Sequence, residues 1–547
     1  MIHPRSCVSK NGRFIVGIHT PGFDVRNLRQ NEYIDTLGWC DDGTAVDNRI
    51  NFPDTDLQEP GADPIYEIAN PFSFRGTTYI NSAWADAKAK APDTIRIREP
   101  EPCSLTGNFK NAETGFKDVS LLIDLLPRPL LIALAQASTD PEELVLLARK
   151  SCRIHYDQQN GRPAGIGYKR DKDRIIPDIL DPELFEVVVN NPQLPDPYKN
   201  ALVLKPGVQG HNEITAEFLS PDTTTHVFEY LRRNSYIPWG HFASNMANDS
   251  VRYSAKELSL QDMQGIRHLY YQRAYVRMAR ALDIPMPDKR QTLTRDQLES
   301  LRVKLIDKLS QTNSTDMDFT ATLWGWNFGF GYAPSGHRLH ASHQMVHQQN
   351  AMIPGKIPTT SKETVPAFAC GDQISEFIAR YRDAHRVDFF QVYQDAIYNN
   401  TRTDGNKKGP DSLIVAEDEH ILLFVPKAQV CDYELQLMPK TDCGNIFEAG
   451  TDLRAALDKA ILCAVKTLES LGAKLITSIE FSKRLGRWEG DTTGQRLLYS
   501  FIPRLPYAPA TFSEAQQRWI CGLYPEDFAR ACRQARSDNR GGSHGDS

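Results

Sequence analysis

Between residues 225 and 505 the chain runs twice through one order of elements: strand, strand, long helix, strand, strand. In the first copy, "THVFEYLRRNSYIPWGHFASNM" reads as two strands about a Pro-Trp-Gly turn. A helix follows, with Met263, Ile266, Tyr270, Ala274 and Met278 at helical spacing and Ser259 with Asp262 as a capping box. "DFTATLWGWNFGFGY" then returns to strand character. In the second copy, "SLIVAEDEHILLFVPKAQVCDYELQLMPK" reads as two or three strands. "DLRAALDKAILCAVKTLESLG" is an amphipathic helix with Leu453, Leu457, Ile461, Val465 and Leu468 on one face and Gly472 as its C-cap. "AKLITSIEFSK" and "QRLLYSFIPRL" are strands. A repeat of this kind predicts two similar α+β halves with antiparallel sheets.

A chain of 547 residues exceeds one ordinary core. The boundaries read as an irregular N-terminal region of unassigned role over 1–200, a first half over 201–355 and a helical connector and linker over 356–410. A second half over 411–535 and a disordered tail over 536–547 complete the chain. Charged residues make up 24% and the net charge is -6, which argues against a nucleic-acid surface covering the whole chain. Asp124, Pro127, Arg128 and Pro129 interrupt the most apolar stretch, 121–137, so it reads as a buried helical hairpin rather than a membrane anchor. The N-terminus shows no signal-peptide pattern. Ten cysteines without a C-x-x-C fit reduced thiols in a cytoplasm rather than a disulfide scaffold or zinc ribbon.

The segment "GYAPSGHRLHASHQMVHQQNAMIP" (331–354) holds His337, His340, His343 and His347. Gly329, Gly331, Pro334 and Gly336 favour a loop leading into a strand. In that strand His343, Met345, His347 and Gln349 share one face and His340 takes the other. A methionine and a glutamine on that face make a poor zinc cage. His337 and His340 read as ordinary polar residues, and for His343 the functional and structural readings stand equal.

"ASHQMVHQQ" resembles the active-site strand of the galactose-1-phosphate uridylyltransferase and diadenosine tetraphosphate phosphorylase branch of the histidine-triad superfamily. Its motif is approximately Ala-Ser-x-x-His-x-His-x-Gln. Ala341 and Ser342 match, Met345 replaces the first histidine, His347 matches the nucleophile and Gln349 the glutamine. Upstream, Asn327 and Gly329 match the family's Asn-x-Gly strand. "EDEHILLFVPKAQVCDYELQLMPK", "YSFIPRL" and "RWICG" resemble three elements of its C-terminal half, in order, so the resemblance spans roughly 225–535. It implies an α+β fold of two histidine-triad-like halves in tandem, each an antiparallel sheet plus helix, the second degenerate. Ser500, Leu498 and Arg496 stand where family members can carry histidines, and neither zinc site of the bacterial enzymes carries over.

The resemblance implies a nucleotidyltransferase or nucleotide phosphorylase acting through a nucleotidyl-histidine at His347, without metal or cofactor. Imidazole is nucleophilic and largely neutral at pH 7, and its phosphoramidate is labile enough to pass the group on. Hydrolases of the superfamily carry a third histidine where Gln349 stands. An amide cannot act as general acid or base near pH 7, so Gln349 favours transfer to an acceptor that is already anionic. Asn327, Ser342, His343 and Arg518 are the substrate-binding candidates. The partners implied are a nucleotide or nucleotide sugar and a phosphate or sugar-phosphate acceptor, with no membrane or nucleic acid, and a homodimer as the family's assembly. Two alternatives are a phosphohydrolase of the same fold and a degenerate nucleotide-binding or scaffold protein, which Met345 favours.

Overall fold

The structure is a computed structural model. It describes residues 4–26, 36–47, 55–59, 61–98, 101–111, 119–172, 174–189, 191, 193–202, 236–237, 240–241, 258, 260–286, 293–312, 317–329, 347–485, 494–505 and 511–541. Among these, no helix is long and apolar enough to cross a membrane.

Seven strands form the main sheet: β1 (Ala321–Gly329), β2 (His347–Ile353), β3 (Ile414–Glu417), β4 (Ile421–Phe424), β5 (Leu435–Pro439), β6 (Leu475–Phe481) and β7 (Leu498–Pro503). Their order is β2-β1-β6-β7-β5-β4-β3, with every neighbouring pair antiparallel. The first copy's closing strand, β1, and the His347 strand β2 lie in one sheet with the strands of the second copy, and β1 pairs directly with β6. The third strand of "SLIVAEDEHILLFVPKAQVCDYELQLMPK" is β5, so the segment holds three strands.

Strands β4 and β5 are buried along their whole length, because both faces of the sheet are covered. That explains their unbroken apolar runs. One face packs Trp324, Met352, Leu423, Leu435, Leu437, Ile476 and Phe501 against helices α1 (Leu260–Ala281), α2 (Arg295–Gln311) and α5 (Thr451–Ser470). The other packs Leu422, Phe424, Met438 and Leu498 against helices α3 (Cys370–His385) and α4 (Phe389–Tyr398), with Cys7, Ile68 and Phe72 from the N-terminal region. Helix α5 carries the expected stripe, with Leu457, Ile461, Val465 and Leu468 fully buried. Gly472 follows it at φ +98°, where a Cβ would collide with the Ile97 carbonyl. Helix α2 opens on a capping box of Thr294 and Gln297.

Several segments differ from their sequence pattern. The helical connector and linker expected over 356–410 opens on a small hairpin, Lys356–Pro358 with Thr364–Pro366. The helical part of that connector is the pair α3 and α4, broken where Arg386 turns to φ +59°. The polar stretch 399–412 is anchored: the buried Arg402 guanidinium donates twice to Asp527, at 2.8 and 2.7 Å, and once to Asp404. Asp527 lies on helix α6 (Pro525–Gly541), which runs into the stretch expected to be a tail. The N-terminal region splits in two. Gly17–His19, Ile65–Ala69 and Thr77–Asn81 form a sheet completed by Arg518–Cys521, which pairs parallel with Thr77–Asn81. Residues 103–202 carry helices and a separate core around Leu131, Leu144, Leu147, Phe185 and Val188. The stretch 121–137 is two short helices within it, as the hairpin pattern predicts. Tyr236–Ile237 and Gly240–His241 pair antiparallel, as expected around the Pro-Trp-Gly turn.

One buried charge joins these parts. Arg267 of α1 is fully buried. Its guanidinium donates to the Tyr271 and Tyr499 hydroxyls at 3.0 and 2.9 Å and to Asp458 of α5 at 3.2 Å. It lies 3.7 Å from Glu480 of β6 and 4.5 Å from the Trp324 ring of β1. Tyr270 and Tyr499 donate to Glu480 at 2.8 and 2.6 Å. Burial raises the carboxyl pKa of Glu480, and that of Asp458 to about 6, and the Arg267 guanidinium shared between the two acids offsets this only in part.

Two outcomes follow from this cluster. Arg267→Leu leaves two acids buried without their cation and is expected to cost about 3–5 kcal/mol in denaturant unfolding. A raised Asp458 pKa means that the folded state holds its proton more tightly than the unfolded chain does. This contribution to stability is therefore complete below the ordinary aspartate range and lost as pH rises toward about 6. Asp458→Asn is expected to flatten that slope in melts recorded across pH 4–7.

Candidate functional site

Strand register brings together three motif positions. His347 at the start of β2 lies directly opposite Asn327 of β1, and Gln349 lies opposite Gly325. For residues 326–329 and 347–349 the description is of the backbone. Directly opposed residues of an antiparallel pair share a face, as do residues two apart. The His347 row continues through Asn327 to Thr477 and Ile502, and the Gln349 row through Gly325 and Ile479 to Ser500 and Gln436. His347, Asn327 and Gln349, with Gly325, thus belong to the α3/α4 face, opposite the face that buries Arg267. The burial of that face is uneven. Leu422, Phe424 and Met438 are fully buried, whereas Gly325, Thr477, Ile479 and Ile502 are half-buried. The face therefore opens toward β2, the edge strand among the described residues.

Gly325 gives this row its small member. A Cβ there would sit 3.3 Å from the Ser478 carbonyl, a tight approach. Ser342, His343, Met345, His337 and His340 lie outside the described residues. Arg518 is not brought to this sheet. It begins the strand beside Thr77–Asn81, and its guanidinium donates to the Tyr79 hydroxyl at 2.8 Å.

The three second-copy positions are occupied by packing and internal pairing. Ser500 is fully buried and donates to Glu434 at 2.7 Å. The same carboxylate accepts from Arg75 at 2.7 Å, from Gln436 at 3.1 Å and from the Val430 N–H at 2.8 Å. Leu498 is core, and Arg496 is held by Asp442, Gln394 and the Pro439 carbonyl. Sequence reasoning missed the Arg75–Glu434 pair, and no local signal marks it, since the partners lie 359 residues apart. It also missed Arg267, although a signal was present: position 267 falls on the apolar stripe of its helix, between Met263 and Tyr270. Among the described residues, no group of three or more His, Cys, Asp or Glu side chains is arranged to hold a metal ion.

No protein-family model matches the sequence, and no curated protein matches it. Similar solved structures include an ADP-glucose phosphorylase from Arabidopsis thaliana, at TM-score 0.35 and 11% identity, covering 53% of this chain and 71% of that one. A GalT-like protein from Arabidopsis thaliana follows at TM-score 0.31 and 13% identity, covering 44% and 67%. A uridylyltransferase has TM-score 0.32 and 13% identity, covering 54% and 74%. These proteins belong to the branch that the motif around His347 resembles. Superposition at this level leaves the chemistry to be argued from the residues of this chain.

Because Ser500 is enclosed by Glu434, Gln436 and Arg75, Ser500→His is expected to overpack the site. The expected loss is about 1–3 kcal/mol of unfolding free energy, with no recovery on adding zinc. Thermal melts with and without zinc check this.

Proposed function

We propose that this chain is a nucleotidyl-transfer enzyme with His347 as nucleophile and two histidine-triad-like halves merged edge to edge. The first contributes β1 and β2, the second β3–β7. One observation carries the proposal: the register sets His347 against Asn327 and Gln349 against Gly325, on one half-open face.

In the first step an imidazole nitrogen of His347 attacks the α-phosphorus of the donor. A P–N bond forms, and the bond from that phosphorus to its leaving oxygen breaks. A nucleotide sugar releases a sugar phosphate. In the second step an anionic phosphate oxygen of the acceptor attacks the same phosphorus, the P–N bond breaks and the imidazole is regenerated. The acceptor arrives deprotonated, so no general base is required, which suits an amide at position 349. Gln349 and Asn327 are assigned to donate to non-bridging oxygens as their charge redistributes. Phosphate or a sugar phosphate is the acceptor class, and a nucleotide sugar or dinucleoside polyphosphate the donor class.

A second reading, a nucleotide-binding protein without turnover, is favoured by Met345 and by the internal pairing of Ser500 and Arg496. Intact-protein mass separates the two. After brief incubation with UDP-glucose, ADP-glucose or diadenosine tetraphosphate and an alkaline quench, the wild type is expected to gain one nucleoside monophosphate. His347→Gly is expected to gain none. Gln349→Ala is expected to slow the labelling by about 10²–10³-fold. Binding by calorimetry with no adduct from any donor would instead establish the second reading.

A further inference from the structure

The module formed by residues 103–202 has its own core, apart from the sheet that carries His347. On its surface lies a cavity of about 450 Å³, lined by Arg149, Cys152, Arg153, Ile154, Tyr156 and Gly161. It sits where the helix Pro141–Ser151 ends and the strand Ile154–Tyr156 begins. The Asp157–Gly161 turn forms its rim, with Gly161 at φ +68°.

Its charges are unusual. The Arg149 guanidinium donates to the Tyr156 hydroxyl at 2.9 Å and to the Tyr198 hydroxyl at 3.2 Å, and lies 5.5 Å from the Tyr156 ring centroid. These partners are neutral phenols, so the guanidinium is fixed in place without being neutralised. The Arg153 side chain makes no hydrogen bond or ion pair among the described residues. Nearby acids are already engaged. Asp178 pairs with Lys169 at 2.9 Å, Asp157 accepts from the Gln159 and Asn160 backbone, Asp181 takes Arg128 and Asp124 takes Lys150. The helix C-terminus favours one cation at Arg149. It explains neither the paired phenols nor the second guanidinium.

Two guanidiniums at one concave surface, one held by phenols and neither ion-paired with an acid among the described residues, suit the bidentate geometry of a phosphate. The cavity exceeds a bare anion and falls within the size range of small-molecule sites. We propose that it binds a phosphomonoester of sugar-phosphate or mononucleotide size. The phosphate lies between Arg149 and Arg153, and the organic part lies against the Tyr156 ring. This site is independent of the His347 reaction.

Hydrogen–deuterium exchange on the full-length protein tests it, with inorganic phosphate, glucose 1-phosphate and AMP as separate probes. At least one organic phosphate is expected to slow exchange across residues 149–163. Arg149→Gln and Arg153→Gln are each expected to raise its half-saturating concentration about tenfold, and His347→Gly to leave it unchanged. Arg153→Gln removes no hydrogen bond or ion pair among the described residues, so its effect reads binding. The proposal is overturned if neither organic phosphate protects the segment, or if protection survives both arginine substitutions. It is also overturned if inorganic phosphate protects equally well at the same concentration, which would leave an anion site without an organic ligand.

Discussion

The fully buried guanidinium of Arg267 holds together what the chain brings from five elements. Its helix and the β1 ring of Trp324 come from the first copy, Asp458 from α5, and Glu480 and Tyr499 from adjacent strands of the second. A buried cation is costly unless it is paired, and here Tyr271, Tyr499 and Asp458 accept from the guanidinium while Glu480 lies 3.7 Å from its Nη1. Apolar packing alone would allow α1 to slide over the sheet at little cost. Hydrogen-bond geometry around one guanidinium fixes its position, and with it the approach of β1 to β6.

That approach has a consequence on the opposite face. Because β1 pairs with β6 on one side and β2 on the other, the His347 strand is carried by the second copy's sheet. The side that seals Arg267 also buries Trp324 and Met352, whereas the α3/α4 side is closed at β4 and β5 and half-open near β2. The Arg75–Glu434–Ser500 cluster lies on the Gln349 row, three strands inward from β2, where the N-terminal region closes over the sheet. A single sheet thus separates a charge that orders the fold from the positions assigned to chemistry.

Local pattern made part of this legible. Helix α5 was readable because its apolar spacing is regular and Gly472 supplies a left-handed stop. The two strands after it were readable from their β-branched and aromatic alternation. The His347 strand was readable because a glycine- and proline-rich approach precedes an alternating run. The hairpin after Ile353 was not, since Pro358 and Pro366 end its strands and its turn is polar throughout. Nor was the parallel pairing of Arg518–Cys521 with Thr77–Asn81, whose partners are more than 400 residues apart. The α+β class and the shared strand face of His347 and Gln349 followed from neighbouring residues. The position of Arg518 on another sheet, and the division of the first 200 residues between two cores, depend on contacts that no local window contains.

A double displacement at phosphorus inverts configuration twice and a direct transfer inverts it once. The most direct test of the account therefore uses a chiral α-phosphorothioate analogue of whichever donor labels the protein, with phosphate or a sugar phosphate as acceptor. Net retention at the α-phosphorus, with the intermediate mapped to His347, is the result the account predicts. Net inversion, or retention that persists in His347→Gly, would contradict it.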